Sequence, residues 1–171
     1  MPTTTTAPRV EARPTQPTLG IRVRTPMKGM AQAVRALEDE LFNWLDAHGI
    51  EATGPRLLRY HVIDMRGAMD IESCVPVATH HPGDGRVTPG ELPAGRYAYL
   101  VYRGAGVAGN KVLVDWIKSN GSEWDAWDDP AGHAFACRYE TYLTDPAVEP
   151  RKTRWDIEVA IRLIDGAALG R

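Results

Sequence analysis

With 171 residues, 43% of them hydrophobic, the chain is long enough to bury one real core, or two small lobes. Its formal net charge of -2 supplies no basic field for phosphate backbones or anionic lipid, which argues against nucleic acid or membrane as partner. No run is long and apolar enough to span a bilayer, and the start "MPTTTTAPRVEARPTQPTLG" has no apolar signal-peptide core, so a cytoplasmic location is expected, with Cys74 and Cys137 as reduced, buried thiols.

Residues 1–18, dominated by Thr and Pro, lack the periodic apolar positions that offset ordering entropy and are expected to form a disordered tail. From Leu19 a strand is expected over 19–24. A helix follows over 28–48, where Ala33, Leu37, Leu41, Trp44 and Leu45 recur three or four apart, closed by Gly49. Strands are expected over 56–64 and 69–78, then a linker over 79–94. The second half repeats the order, with strands over 95–103, 134–143 and 155–164 and a helix over 108–119.

The halves are related in sequence. "LFNWLDAHGI" aligns with "LVDWIKSNGS" without a gap, Arg59-Tyr60 matches Arg138-Tyr139, and "DIESCVPV" matches "DIEVAIRL". The second copy differs by longer loops, which cost little. Each copy reads strand, helix, strand, strand, so the expected fold is α+β: tandem βαββ repeats (19–78 and 95–165) with pseudo-two-fold symmetry, an antiparallel sheet, one helix per repeat and a central ligand cleft.

Within "CRYETYL" (137–143) an acid interrupts a run of strand formers. Alternation places Arg138, Glu140 and Tyr142 on one face and Cys137, Tyr139, Thr141 and Leu143 on the other. In the first copy Leu58, Tyr60 and Val62 oppose Arg59, His61 and Ile63. The more apolar set of each copy is expected under the helices, and the set holding Glu140, with His61 at the matching position, is expected to face away from them into the groove. A carboxylate on the floor of an aromatic cleft either meets a cation or rises in pKa and becomes a proton donor. Pairing with Arg138 or a cross-strand base on an open face is the structural alternative.

The segments "LPAGRYAYLVYRG", "RYETYLTDP" and "WDIEVAIRL", with the Trp-bearing second helix, resemble the GyrI-like small-molecule-binding domain, the effector-binding domain of multidrug-responsive and AraC-type regulators. The resemblance covers about residues 19–165. It implies a cleft that takes up lipophilic, often cationic aromatic compounds, with Glu140 at its floor by motif position. Such regulators carry a DNA-binding head, which the residues before Leu19 are too few to hold, so a stand-alone version is expected. The insertion "EWDAWDDPAGHAF" matches no family pattern.

Other candidates are weaker. Trp124 and Trp127 lie in that insertion and suit either stacking on a flat or cationic ligand or anchoring of the loop. Tyr142 shares the face of Glu140 and offers a hydroxyl; Tyr102 lies on the opposite face of its strand from Tyr97 and Tyr99. His61 is a strand-centre imidazole with either a structural or a site role. His80, His81 and His133 have no ligand spacing to the cysteines, so no metal is expected. No cofactor is implied, because nucleophile-elbow, P-loop and dinucleotide motifs are absent. "RGAGVAG" (103–109) reads simply as a flexible glycine-rich helix entry.

Three functions follow. The first is a binding protein in which Glu140 supplies charge complementarity and Arg138, Tyr142, Tyr102, Trp124, Trp127 and His61 are candidate contacts. The second is a hydrolase of cyclopropane-type electrophiles, which the resemblance suggests for stand-alone members, with Glu140 as general base or acid and Tyr142 orienting substrate. The third is a protein-interaction or inhibitor module, for which the acidic "EWDAWDD" is the only feature.

Overall fold

The computed structural model describes residues 3–164. In chain order the strands are β1 (Thr4–Thr5), β2 (Arg9–Arg13), β3 (Gln16–Pro26), β4 (Leu57–Ile63), β5 (Ala68–Pro76), β6 (Thr88–Leu92), β7 (Gly95–Arg103), β8 (Ala126–Asp129), β9 (Gly132–Phe135), β10 (Arg138–Tyr142) and β11 (Ile157–Arg162). The helices are α1 (Met30–His48) and α2 (Gly106–Ser119). All strands join one antiparallel 11-stranded sheet whose main order is β1-β7-β11-β10-β4-β5-β3-β6. Its inner part, β7-β11-β10 followed by β4-β5-β3, is palindromic about the β10–β4 pair. The two βαββ units therefore meet through their second strands, and the duplication read in the sequence becomes a pseudo-two-fold relation in the sheet.

Each helix lies on the sheet through the apolar stripe its periodicity creates. Leu37, Leu41 and Leu45 of α1 pack with Leu19, Ile21 and Val75. Leu113 and Ile117 of α2 join Leu58, Leu100, Val159 and Ile161. Gly49 ends α1 with φ of 64°, a left-handed conformation that glycine adopts without a Cβ penalty.

Three stretches differ from expectation. Residues 9–13, expected in a disordered tail, pair with Arg9 opposite Tyr99 through Arg13 opposite Gly95. A strand added to the edge of β7 needs no core of its own, because its backbone bonds are supplied by that edge. Arg13 also pins it, donating to the Tyr139 hydroxyl at 2.7 Å and to Glu158 at 2.9 Å. The linker contributes β6 beside β3. The insertion is not an open loop: β8 and β9 form a hairpin, and β9 pairs with β4. Among the described residues no helix is long and apolar enough to cross a membrane.

Candidate functional site

Leu58 stands directly opposite Glu140 in the β4–β10 pair, so both side chains point to one face. That face carries the helices, since Leu58, Tyr142, Leu113 and Ile117 belong to one core cluster, while Cys137 and Tyr139 pack on the other side with Cys74, Tyr97 and Ala160. The expected assignment is thus reversed for β10: Cys137 and Tyr139 do not lie under the helices, and Glu140 does not face away from them. The physical cause is a one-residue difference. Matching Arg59-Tyr60 to Arg138-Tyr139 aligns the copies by letter, but a shift of one residue along a strand exchanges its faces. His61 consequently sits away from Glu140, hydrogen-bonded to Glu72 at 2.8 Å.

On the helix face lies a cavity of about 480 Å³ between the first turns of α1 and α2, with Glu140 on its sheet wall. Four methionines line it, Met27 and Met30 at the start of α1 and Met65 and Met69 from the β4–β5 hairpin. Unbranched, polarizable side chains of this kind adapt to ligands of differing shape. Glu140 is 5% exposed. Tyr60 donates its hydroxyl to Oε1 at 2.5 Å, and Tyr102 donates to Oε2. Burial first, and then the charge of Glu140, holds both tyrosine hydroxyls well above the ordinary tyrosine value, so they remain protonated donors. The ion pairs among the described residues all lie elsewhere. The carboxylate is neither open to solvent nor matched to a permanent basic partner within ion-pair distance.

The glycine-rich entry to α2 makes this geometry possible, and close packing is its role. A Cβ at Gly109 would come within 2.4 Å of Tyr102 Cγ, and one at Gly106 within 3.1 Å of the Tyr102 hydroxyl. Lacking side chains there, α2 rests on the Tyr102 ring and presses it towards Glu140.

Arg138 joins the cavity wall, donating from Nη2 to Asn110 Oδ1 at 2.8 Å, with Phe135 beneath it at 4.9 Å. Tyr142 lines a neighbouring cavity of about 600 Å³ between α1 and the segment before β11. There its ring and that of Trp155 flank the Arg56 guanidinium at 5.0 and 5.1 Å, and Arg56 in turn pairs with Glu38 at 3.1 Å. Burial raises the Glu38 pKa against the opposing pull of Arg56. Trp124 packs against Phe135 and His133, away from the Glu140 cavity, and Trp127 is 50% exposed on β8. Of the sequence candidates, the cavity gathers Glu140, Arg138 and Tyr102; it does not gather His61, Tyr142, Trp124 or Trp127. Sequence reasoning missed Tyr60, whose pairing with Glu140 required the correct face, and the methionines, whose positions at element ends carried no periodic signal.

A carboxylate held by phenols inside a cleft between two βαββ units coincides with a match to the model of the GyrI-like small molecule binding domain over residues 6–164. The chain belongs to the GyrI-like family. Solved structures share the fold. The EcmrR C-terminal domain is similar with a TM-score of 0.71 at 15% identity, over 93% of this chain and 98% of that one. In the EcmrR–DNA complex the match spans 57% of the EcmrR chain. A hydrolase from Listeria innocua gives 0.60 at 14% identity, over 92% and 91%. SAV2435, solved bound to tetraphenylphosphonium, gives 0.56 at 10% identity, over 97% and 98%. At these identities the likeness is one of fold. No curated protein matches the chain significantly.

Proposed function

We propose that this GyrI-like domain takes up lipophilic aromatic cations in the cavity on which Glu140 stands. The observation that carries the reading is the Glu140 carboxylate itself, 5% exposed among tyrosine and methionine side chains, with phenol hydroxyls rather than a cation as its direct partners. Such a charge is poorly solvated, and a bound cation offsets the desolvation beside Tyr60 and Tyr102 in the cavity lining. SAV2435, of the same fold, was solved with a cation of this class. Titration calorimetry with tetraphenylphosphonium tests it. Binding that weakens about tenfold or more in Glu140→Gln, as expected for losing a charge-assisted contact, supports the reading; equal affinity in the variant refutes it.

A hydrolytic reading, motivated by the Listeria innocua hydrolase of similar fold, uses the same carboxylate. Both Glu140 oxygens already accept from phenols, which favours a fixed electrostatic role over that of a general base for water. Incubation with a cyclopropane-bearing electrophile, followed for hydrolysed product, separates the two readings.

A further inference from the structure

The Glu140 cavity is not of one sign. Arg138, two residues from Glu140 on the same face of β10, is only 9% exposed and lines the same cavity, yet its Nε has no hydrogen-bond partner. Its contact with α2 is to the neutral Asn110 amide, which spends its own N–H on the Gly106 carbonyl at 2.9 Å. A buried guanidinium with no carboxylate at ion-pair distance is costly, and burial lowers its pKa from the ordinary value against the opposing pull of Tyr60 and of the Glu140 charge.

The helix beside it adds to the imbalance. α2 begins at the cavity wall with Ala105 at its N-cap position, giving no side-chain cap, and with no acidic residue in its first turn. Unsatisfied N–H groups and the positive end of the helix dipole therefore face the same space as the Arg138 guanidinium. A purely cationic guest would satisfy Glu140 and leave this corner with the neutral Asn110 amide but no anionic acceptor.

We infer that the cavity is built for an amphoteric aromatic ligand, whose cationic part meets Glu140 and whose carboxylate or equivalent anionic acceptor docks against Arg138 and the first turn of α2. The two contacts lie two residues apart on one strand, about 6.5 Å along it, and that spacing sets the separation of the ligand's charged groups. The inference rests on the Glu140 cavity being the ligand site, and it narrows the ligand class proposed above.

The test compares rhodamine B, which carries a free carboxylate beside its cationic xanthene, with its methyl ester, by fluorescence anisotropy. The wild-type protein is expected to bind the acid about tenfold or more tightly than the ester, as for a charge-assisted hydrogen bond made to one and not the other. Arg138→Gln is expected to remove that preference, so that the acid and its ester bind within about twofold of each other, a difference too small to be a lost contact. Asn110→Asp, which places a carboxylate on Arg138 and keeps its packing, is expected to remove it as well, and so decides the matter where Arg138→Gln fails to fold. Equal binding of the two dyes by the wild type, a preference for the ester, a preference that persists in the variants, or no binding of either dye overturns the inference. If tetraphenylphosphonium still binds in a Glu140-dependent way under any of those outcomes, the cation reading stands alone; if it does not, both fall.

Discussion

Replacing Tyr102 by Phe removes one oxygen from a side chain that is 2% exposed, and with it the donor to Glu140 Oε2. The ring stays where α2 holds it, so no large cavity opens and the cost is that of the lost hydrogen bond to a buried carboxylate, about 1.5–3 kcal/mol. For a chain of this length each kcal/mol moves the midpoint by about 2–4 °C, which gives an expected fall in Tm of about 3–12 °C. Thermal melts and urea titrations of wild type, Tyr102→Phe, Glu140→Gln and the double variant form a cycle. If the phenol acts through Glu140, the cycle carries a coupling of about 0.5–3 kcal/mol. A Tyr102→Phe protein within about 0.5 kcal/mol of wild type, or strictly additive variants, refutes the claim that the tyrosine hydroxyl supports the buried charge.

Further outcomes follow from the same geometry. Tyr60, Tyr102 and Tyr142 are held neutral in the fold, chiefly by burial. Their folded pKa values lie above the unfolded value of 10.0, so the stability they confer is intact below pH 10 and is lost as pH rises above it, by about 1.4 kcal/mol per pH unit for each tyrosine. Circular dichroism across an alkaline titration, read beside tyrosinate absorbance, should show unfolding and these ionisations together; ionisation of all the tyrosines near pH 10 without loss of fold contradicts this. Gly109→Ala places a methyl against the Tyr102 ring and is expected to cost about 1–3 kcal/mol through overpacking, less the roughly 1 kcal/mol that alanine gains in a helix, and to weaken cation binding; a variant both more stable and fully binding contradicts the packing argument. Arg13→Ala breaks its bonds to Tyr139 and Glu158 and is expected to raise amide exchange across residues 9–13 selectively, a result checked by exchange mass spectrometry.

The repeated βαββ order was legible because the helix stripes and the Gly49 ending repeat in both copies, and these depend on local periodicity. Glu140 was legible as an anomaly, an acid where strand propensity disfavours one. Its partners were not. Tyr60 reads correctly onto the helix face, but matching Arg59-Tyr60 to Arg138-Tyr139 sends Glu140 to the opposite one, and only the pairing of Leu58 with Glu140 shows that both share the helix face. Strand β2 was invisible for a different reason: Arg9–Arg13 owes its order to the edge of β7 and to the contacts of Arg13, none of which is local in sequence. Likewise "RGAGVAG" reads as flexible until the Tyr102 ring is seen to fill the space that Gly106 and Gly109 leave. Trp124 and Trp127 mark a hairpin that extends β4 through β9 rather than a wall of the Glu140 cavity.

A crystal structure of the protein grown with tetraphenylphosphonium addresses the central claim most directly. The account predicts the phosphonium within the methionine-lined cavity, against the Glu140 carboxylate and beside Tyr60. Density for the cation only in the neighbouring Tyr142 cavity or on the outer surface, with the Glu140 cavity empty, would contradict it.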